Sequence, residues 1–108
     1  MPYTAKEREI LDQVAGVLHA HYGERLSRVV LFGSRARRDH HEDSDYDLLV
    51  VLHGKIDARA ERKALTALMI PIDLDHDAVV FCHAVPEERY TTEESILMRN
   101  VRAEGVPL

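Results

Sequence analysis

Cysteine is almost missing: the 108 residues hold one, Cys82. A single thiol excludes an intrachain disulfide and fits a reducing cytosol. It sits in the apolar run Ala78-Val79-Val80-Phe81-Cys82, the setting of a buried inert thiol rather than a nucleophile. Long hydrophobic runs are missing too, and none approaches the roughly 18 residues of a membrane span. The N-terminal Met1-Pro2-Tyr3-Thr4-Ala5-Lys6-Glu7 has no apolar segment of the kind a secretory leader needs, so a cytoplasmic protein is expected. Repeats, low-complexity segments and a flexible linker are absent. The length suits one domain, residues 1–108, with no room for a second substrate-binding domain. Basic residues are in deficit, 14 against 19 acidic, and the net charge of −5 disfavours wholesale nucleic-acid binding. What remains, 45% hydrophobic and 31% charged, reads as an ordinary soluble globular chain.

Hydrophobic spacing orders the chain. Thr4 followed by Glu7 is a capping box, and Ile10, Leu11, Val14, Val17 and Leu18 recur at helical spacing, giving a helix over roughly Thr4–Tyr22 closed near Gly23. Arg28-Val29-Val30-Leu31-Phe32 reads as a strand stopped by Gly33. Ser34 caps a short helix to about Arg38, and Asp39 to Asp43 form a polar loop. Asp45 to His53 reads as a second strand whose apolar centre implies burial on both faces. Asp57 caps a helix through Leu65 and Leu68, and Pro71 is expected to end it. A third strand is expected within Ile72–His83. Thr91 with Glu94 suggests another capping box, opening a helix through Ile96, Leu97 and Val101 that ends at Gly105. The order α-β-α-β-α-β-α predicts a mixed α/β fold, a small sheet with helices packed on it.

The chemistry concentrates between the first two strands. Leu31-Phe32-Gly33-Ser34-Arg35-Ala36-Arg37 is an apolar run ending in a Gly-Ser turn and an arginine-rich segment; Ser44-Asp45-Tyr46-Asp47-Leu48 opens the next strand. Strand alternation puts Asp45 and Asp47 on one face and Tyr46 on the other. Two adjacent carboxylates repel unless a cation sits between them, which suits Mg²⁺. The Gly-Ser turn offers backbone N–H groups and a hydroxyl to an anion. Together they suggest a site for a metal-bound nucleoside triphosphate. Two metal ions would stabilise the attacking and leaving oxygens of an in-line displacement, and holding two takes a third carboxylate. Asp73, Asp75 and Asp77, spaced by two, would share one strand face. Asp77 is favoured because it immediately precedes the most apolar part of the run, with Asp75 next and Asp73 assigned to the turn after Pro71.

Rival motifs fail. A calcium loop starting at Asp43 needs Gly at its sixth position and Glu at its twelfth, where the chain has Leu48 and Gly54. A P-loop fails for want of Gly-Lys-Ser/Thr at the required spacing. Blander readings hold elsewhere: His40 and His41 belong to a solvated loop, His53 and His83 are strand-end residues, and His76 alternates away from the aspartates. Arg59, Glu61, Arg62 and Lys63 form a solvated helix face.

Gly33-Ser34, a ten-residue gap and Asp45-Tyr46-Asp47 resemble the defining motif of the polymerase-beta-type nucleotidyltransferases. The flanking Leu-Phe-Gly-Ser-Arg-Ala-Arg and Asp-Ser-Asp-Tyr-Asp-Leu-Leu-Val are similar to the minimal nucleotidyltransferases, the small antitoxins paired with HEPN-domain toxins. One departure is Arg38, where many such proteins place glycine. The resemblance implies a palm-like nucleotidyltransferase fold and transfer of AMP from ATP, with Mg²⁺ (two ions), to an acceptor hydroxyl, releasing pyrophosphate. Asp45, Asp47 and Asp77 would be the catalytic metal ligands. Gly33 and Ser34 would hold the β- and γ-phosphates, with Arg35 or Arg37 assisting. The implied acceptor is a tyrosine of a partner HEPN ribonuclease. Two alternatives stand: a non-catalytic module that neutralises its partner by occlusion, and nucleotidyl transfer to a small molecule or an RNA end.

Overall fold

A computed structural model describes residues 3–108; Met1 and Pro2, the start of the stretch read above for a leader, lie outside the described residues. The fold is organised around β2 (Tyr46–Leu52), in which Leu48, Leu49, Val50, Val51 and Leu52 are all fully buried. A strand buried on both faces needs neighbours on both edges and layers above and below. β1 (Leu26–Phe32) pairs with it antiparallel and β3 (Val80–Pro86) parallel. A two-residue β4 (Val106–Pro107) adds antiparallel to β1, giving the order β3-β2-β1-β4.

The faces have separate cores. On one, α1 (Ala5–Tyr22) and α3 (Ala58–His76) bring Ile10, Leu11, Val14, Leu18, Leu65, Met69 and Ile72 onto Val29, Leu31, Tyr46, Leu48, Val50 and Leu52. On the other, α5 (Ile96–Glu104) lays Met98 and Val101 on Val30, Leu49, Val51 and Val85. The expected capping box forms at α1: Thr4 Oγ1 accepts from Glu7 N at 3.1 Å, and Thr4 N donates to Glu7 Oε1 at 2.9 Å. α2 (Ser34–Arg37) is the short helix after the Gly-Ser turn.

The structure corrects the second half of the sequence reading. Pro71 lies inside α3 and does not end it. A proline there forfeits one backbone hydrogen bond and crowds the preceding turn. Leu65, Met69 and Ile72, at i, i+4 and i+7, nevertheless carry one buried stripe straight past it, and that burial outweighs the local penalty. β3 therefore starts at Val80, and Asp73 and Asp75 are helical. Asp77 ends α3 in the left-handed conformation, φ 49°. The cap of α5 is Ser95, which accepts from Met98 N at 3.2 Å, and not Thr91. Thr91 belongs to the unforeseen α4 (Glu87–Thr92), where its hydroxyl donates to the Glu87 carbonyl.

Candidate active site

The site starts from the pairing of β1 with β2, which sets Phe32 opposite Asp47. Gly33 follows at φ 75°, ψ −158°, a conformation open to glycine and strained for other residues. Space demands glycine as well: a Cβ at Gly33 would stand 2.5 Å from Asp47 Oδ2. The Gly-Ser turn and the second aspartate of Asp45-Tyr46-Asp47 thus touch each other although fourteen positions apart. Tyr46 points into the α1/α3 core, and Asp47 lies on the opposite face, beside Leu49 and the α5 layer.

Asp47 is half-buried, and burial raises its carboxyl above the ordinary 3.8. His83 draws it back down, the neighbouring Asp45 pushes it up, and Arg37 lowers it. Asp45 is exposed at the mouth of β2 and also raises Asp73, after burial and against the Val80 N–H that Asp73 accepts. Neither Asp45 nor Asp47 has an ion pair among the described residues. Two unpaired carboxylates, one pressed against a glycine turn, fit a divalent cation that takes its other ligands from water and phosphate oxygens.

The other expected site residues separate into two groups. Arg37 stays on the Asp47 side, exposed, with Asp39 at 3.1 Å and Glu104 at 3.5 Å. Arg35 does not reach toward a nucleotide. It is buried on the Tyr46 side, its guanidinium 3.9 Å from the Tyr46 ring centre. It donates to Glu7 Oε2 at 2.9 Å and to the carbonyls of Ser44 and Glu42 at 3.0 Å each. Every arm of the fork is engaged, so Arg35 pins the loop that delivers Asp45. Asp77 is likewise displaced: it lines a small cavity with Lys6, Ser44 and Tyr46, away from the Asp47 face. Asp73 ties the α3–β3 turn, its Oδ1 accepting from Val80 N at 3.0 Å. Among the described residues, no three Asp, Glu, His or Cys groups stand within common reach of one ion. Two carboxylates therefore meet here without the expected third.

Glu7 was missed by the sequence as anything beyond a helix cap. Its carboxylate, 2% exposed, receives Arg35, both arms of Arg38 (2.9 and 3.0 Å) and His40 Nε2 at 3.3 Å. Burial pushes its pKa up, but Arg38, the Thr4 N–H and Arg35 prevail and hold it at about 2. Arg38 sits at φ 66°, a left-handed conformation uncommon for a residue other than glycine, and from there it donates to both Glu7 oxygens. His40 is packed on Glu7 and not solvated as expected, while His41 is exposed. Cys82 is an inert thiol, raised by burial to about 12.

A mixed sheet with a carboxylate pair against a Gly-Ser turn, helices on both faces, defines a nucleotidyltransferase fold. The chain matches the family described as Polymerase beta, Nucleotidyltransferase over residues 16–101, most of its length, and it belongs to that family. A Methanocaldococcus jannaschii protein named "Putative protein adenylyltransferase" is 31% identical over 74 residues, 68% of this chain and 72% of that protein. Among solved structures, a "putative nucleotidyltransferase" from Sulfolobus solfataricus superposes with a TM-score of 0.68 at 19% identity, covering 92% of this chain and 76% of that one. A toxin-antitoxin structure with AMP-PNP gives 0.62 at 21%, covering 89% and 70%. A MntA-HpeT toxin-antitoxin structure gives 0.61 at 19%, covering 89% and 69%. At these identities the structural likeness concerns the fold. No helix among the described residues is long and apolar enough to cross a membrane.

Proposed function

We propose that this chain is a Mg²⁺-dependent adenylyltransferase that transfers AMP from ATP to a hydroxyl of a partner protein, a tyrosine of a HEPN ribonuclease toxin, and so acts as an antitoxin. The observation that carries the reading is the contact of Gly33 with Asp47: one strand pair brings the Gly-Ser turn and the Asp47 carboxylate to the same spot, which supports phosphate and cation being held side by side. The name of the Methanocaldococcus jannaschii relative supports a protein acceptor, and the toxin-antitoxin neighbours support a toxin as that acceptor.

The acceptor oxygen attacks the α-phosphorus, the bond to the bridging oxygen breaks, and pyrophosphate leaves; the hydroxyl proton passes to solvent. Such transfer asks the protein for positioning and charge neutralisation more than for covalent chemistry. Bound Mg²⁺ supplies neutralisation of the phosphate oxygens. Asp45 and Asp47 would hold it. Gly33 lets the chain approach the phosphates closely, and the Ser34 hydroxyl with the Ser34 and Arg35 N–H groups, ahead of those that bond the Gly33 carbonyl, would donate to them. Arg37, exposed beside Asp47, adds positive charge at the rim.

The test is label transfer from ATP radiolabelled at the α-phosphate, in Mg²⁺, to the co-expressed toxin, with wild type against Asp45→Asn/Asp47→Asn. One labelled band with wild type and none with the double variant is the expected result. Full labelling by the double variant would refute the site. Protection of cells by an unlabelling double variant would move the function to occlusion.

A further inference from the structure

The two edges of the sheet are finished differently. β4 covers part of the outer edge of β1, whereas no strand among the described residues pairs with the outer edge of β3. In a parallel ladder alternate residues bond to the neighbouring strand. Tyr46 N donates to the Val79 carbonyl at 2.9 Å and stands opposite Val80. Val79, Phe81 and His83 therefore bond to β2, and Val80, Cys82 and Ala84 turn their N–H and C=O groups outward. The first outward donor, Val80 N–H, is met by Asp73. The outward groups of Cys82 and Ala84 have no partner among the described residues. Natural sheets blunt such an edge with lysine, proline or a bulge. The register of β3 runs from Val80 to Pro86 without a bulge, and its one proline closes the strand. Ile70, Val79, Phe81 and Leu97, all exposed, line the groove along this edge instead.

α3 gives the edge a charge pattern. Arg59, Arg62 and Lys63 stand at the start of the helix on the side of Ile70, and Asp73 and Asp77 follow at helical steps at its end. None of these five has an ion pair among the described residues. The chain turns back at Asp77, so α3 and β3 run in opposite senses, with the acidic end of the helix over the start of the strand. Asp73 is level with Val80. Cys82 lies about 7 Å further along the strand, which is about four residues back along the helix, close to Ile70. Opposite charges thus flank a midpoint that α3 and β3 share.

We infer that the edge of β3 takes a second copy of this chain, the two strands pairing antiparallel about a two-fold axis at Cys82 to join the sheets. A two-fold contact needs a self-complementary surface, and a pattern with one sign at each end of an antiparallel pair is one. A partner of single charge would match one end and be repelled by the other. The Cys82 groups of the two copies exchange hydrogen bonds, and Ala84 N–H of each reaches the Val80 carbonyl of the other. Phe81 lies opposite His83 of the second copy, which covers its exposed ring. The two α3 helices run side by side, with Ile70 against Ile70 and the basic start of each beside Asp77 of the other. Local pairing at both ends thereby works against the repulsion of two chains of net charge −5. Asp47 lies one strand in from Phe81, so both candidate sites open on the same face of the joined sheet.

The experiment is the solution mass of the full chain by sedimentation equilibrium, over concentrations up to about 1 mM, the range of weak association. About twice the 12.3 kDa of one chain is expected at the upper end. Ala84→Pro removes a donor that the single chain leaves unpaired, so circular dichroism should show the same fold. The dimer should weaken by about tenfold or more, the scale of two main-chain hydrogen bonds. Arg62→Glu/Lys63→Glu and Asp77→Lys change exposed side chains and should each dimerise more weakly alone than when mixed together, because each reversal is matched only by the other. The mass of one chain at every concentration would overturn the second copy as occupant and leave the edge to a different protein. A dimer of wild-type strength in Ala84→Pro, or a mixture no tighter than its two components, would overturn the pairing of the β3 edges.

Discussion

Replacing Glu7 by Gln tests how the active-site loop is held. The carboxylate is almost wholly enclosed and answers two arginines, so the change removes one negative charge and strands Arg35, itself 5% exposed. Holding the carboxyl at about 2 against its ordinary 4.5 corresponds to roughly 3 kcal/mol, at about 1.4 kcal/mol for each pH unit. Breaking one side of a buried pair costs about 3–5 kcal/mol, the same range. The variant should therefore unfold in urea with roughly 3 kcal/mol less stability at pH 7 and melt at least about 10 °C lower. The sign with pH is fixed by a depressed carboxylate. Its contribution is complete above about 4.5, where the unfolded chain is also ionised, and is lost as pH falls toward 2. The gap between wild type and Glu7→Gln should accordingly shrink to less than half between pH 7 and pH 3. A gap under 1 kcal/mol at pH 7, or one that stays constant down to pH 3, would refute the ionic hub. Because Arg35 grips the carbonyls of Glu42 and Ser44, the same variant should speed amide exchange in residues 42–46 ahead of other loops.

Gly33→Ala forces a Cβ to 2.5 Å from Asp47 Oδ2 at a φ of 75°; strain of about 1–3 kcal/mol and loss of ATP binding by calorimetry are expected, and wild-type affinity would refute the glycine argument. Asp47→Asn should leave the melting temperature at pH 7 equal to or above wild type, because burial disfavours the ionised Asp47 in the fold. That advantage should vanish as pH falls below about 3.8, where the carboxyl is protonated folded or unfolded, and a destabilised Asn variant would contradict it. Pro71→Ala restores a backbone donor inside α3 and should raise stability by about 1–3 kcal/mol in urea titration; a loss would show that the proline is positioned for a purpose other than helix continuity.

How much the sequence disclosed depended on the range of the interaction. The β1–turn–β2 unit was legible because its signals are local: alternation, a glycine stop and an apolar run that had to be buried on both faces. The capping box at Thr4 and Glu7 was legible for the same reason. Pro71 misled because the buried stripe of Leu65, Met69 and Ile72 is a tertiary gain that no local rule on proline weighs. Moving the end of α3 from Pro71 to His76 then removed the strand on which Asp73, Asp75 and Asp77 were to share a face. β4, two residues long, has no pattern of its own; it exists because β1 has an edge to pair and Gly105 permits the approach, where a Cβ would meet Val30 Cγ1 at 2.4 Å.

Arg35 and His83 fail in opposite directions, and the sheet explains both. An arginine after a Gly-Ser turn looks like a phosphate ligand from its neighbours in sequence, and a histidine in an apolar run looks like a strand end. Side is decided by parity on β2: Tyr46 marks the face toward α1 and α3, Asp47 the face toward α5. Arg35 lies over Tyr46 and is thereby committed to anchoring. His83 aligns with Leu49, two residues beyond Asp47, and is thereby committed to the face of the carboxylates. The register of β3 against β2 is a long-range fact that residues 77–83 alone do not encode. Chemistry and anchoring are thus divided between the two faces of one strand. A substitution at Glu7, on the anchoring side, should alter stability first, and a substitution at Asp47, on the other, should alter nucleotide binding first.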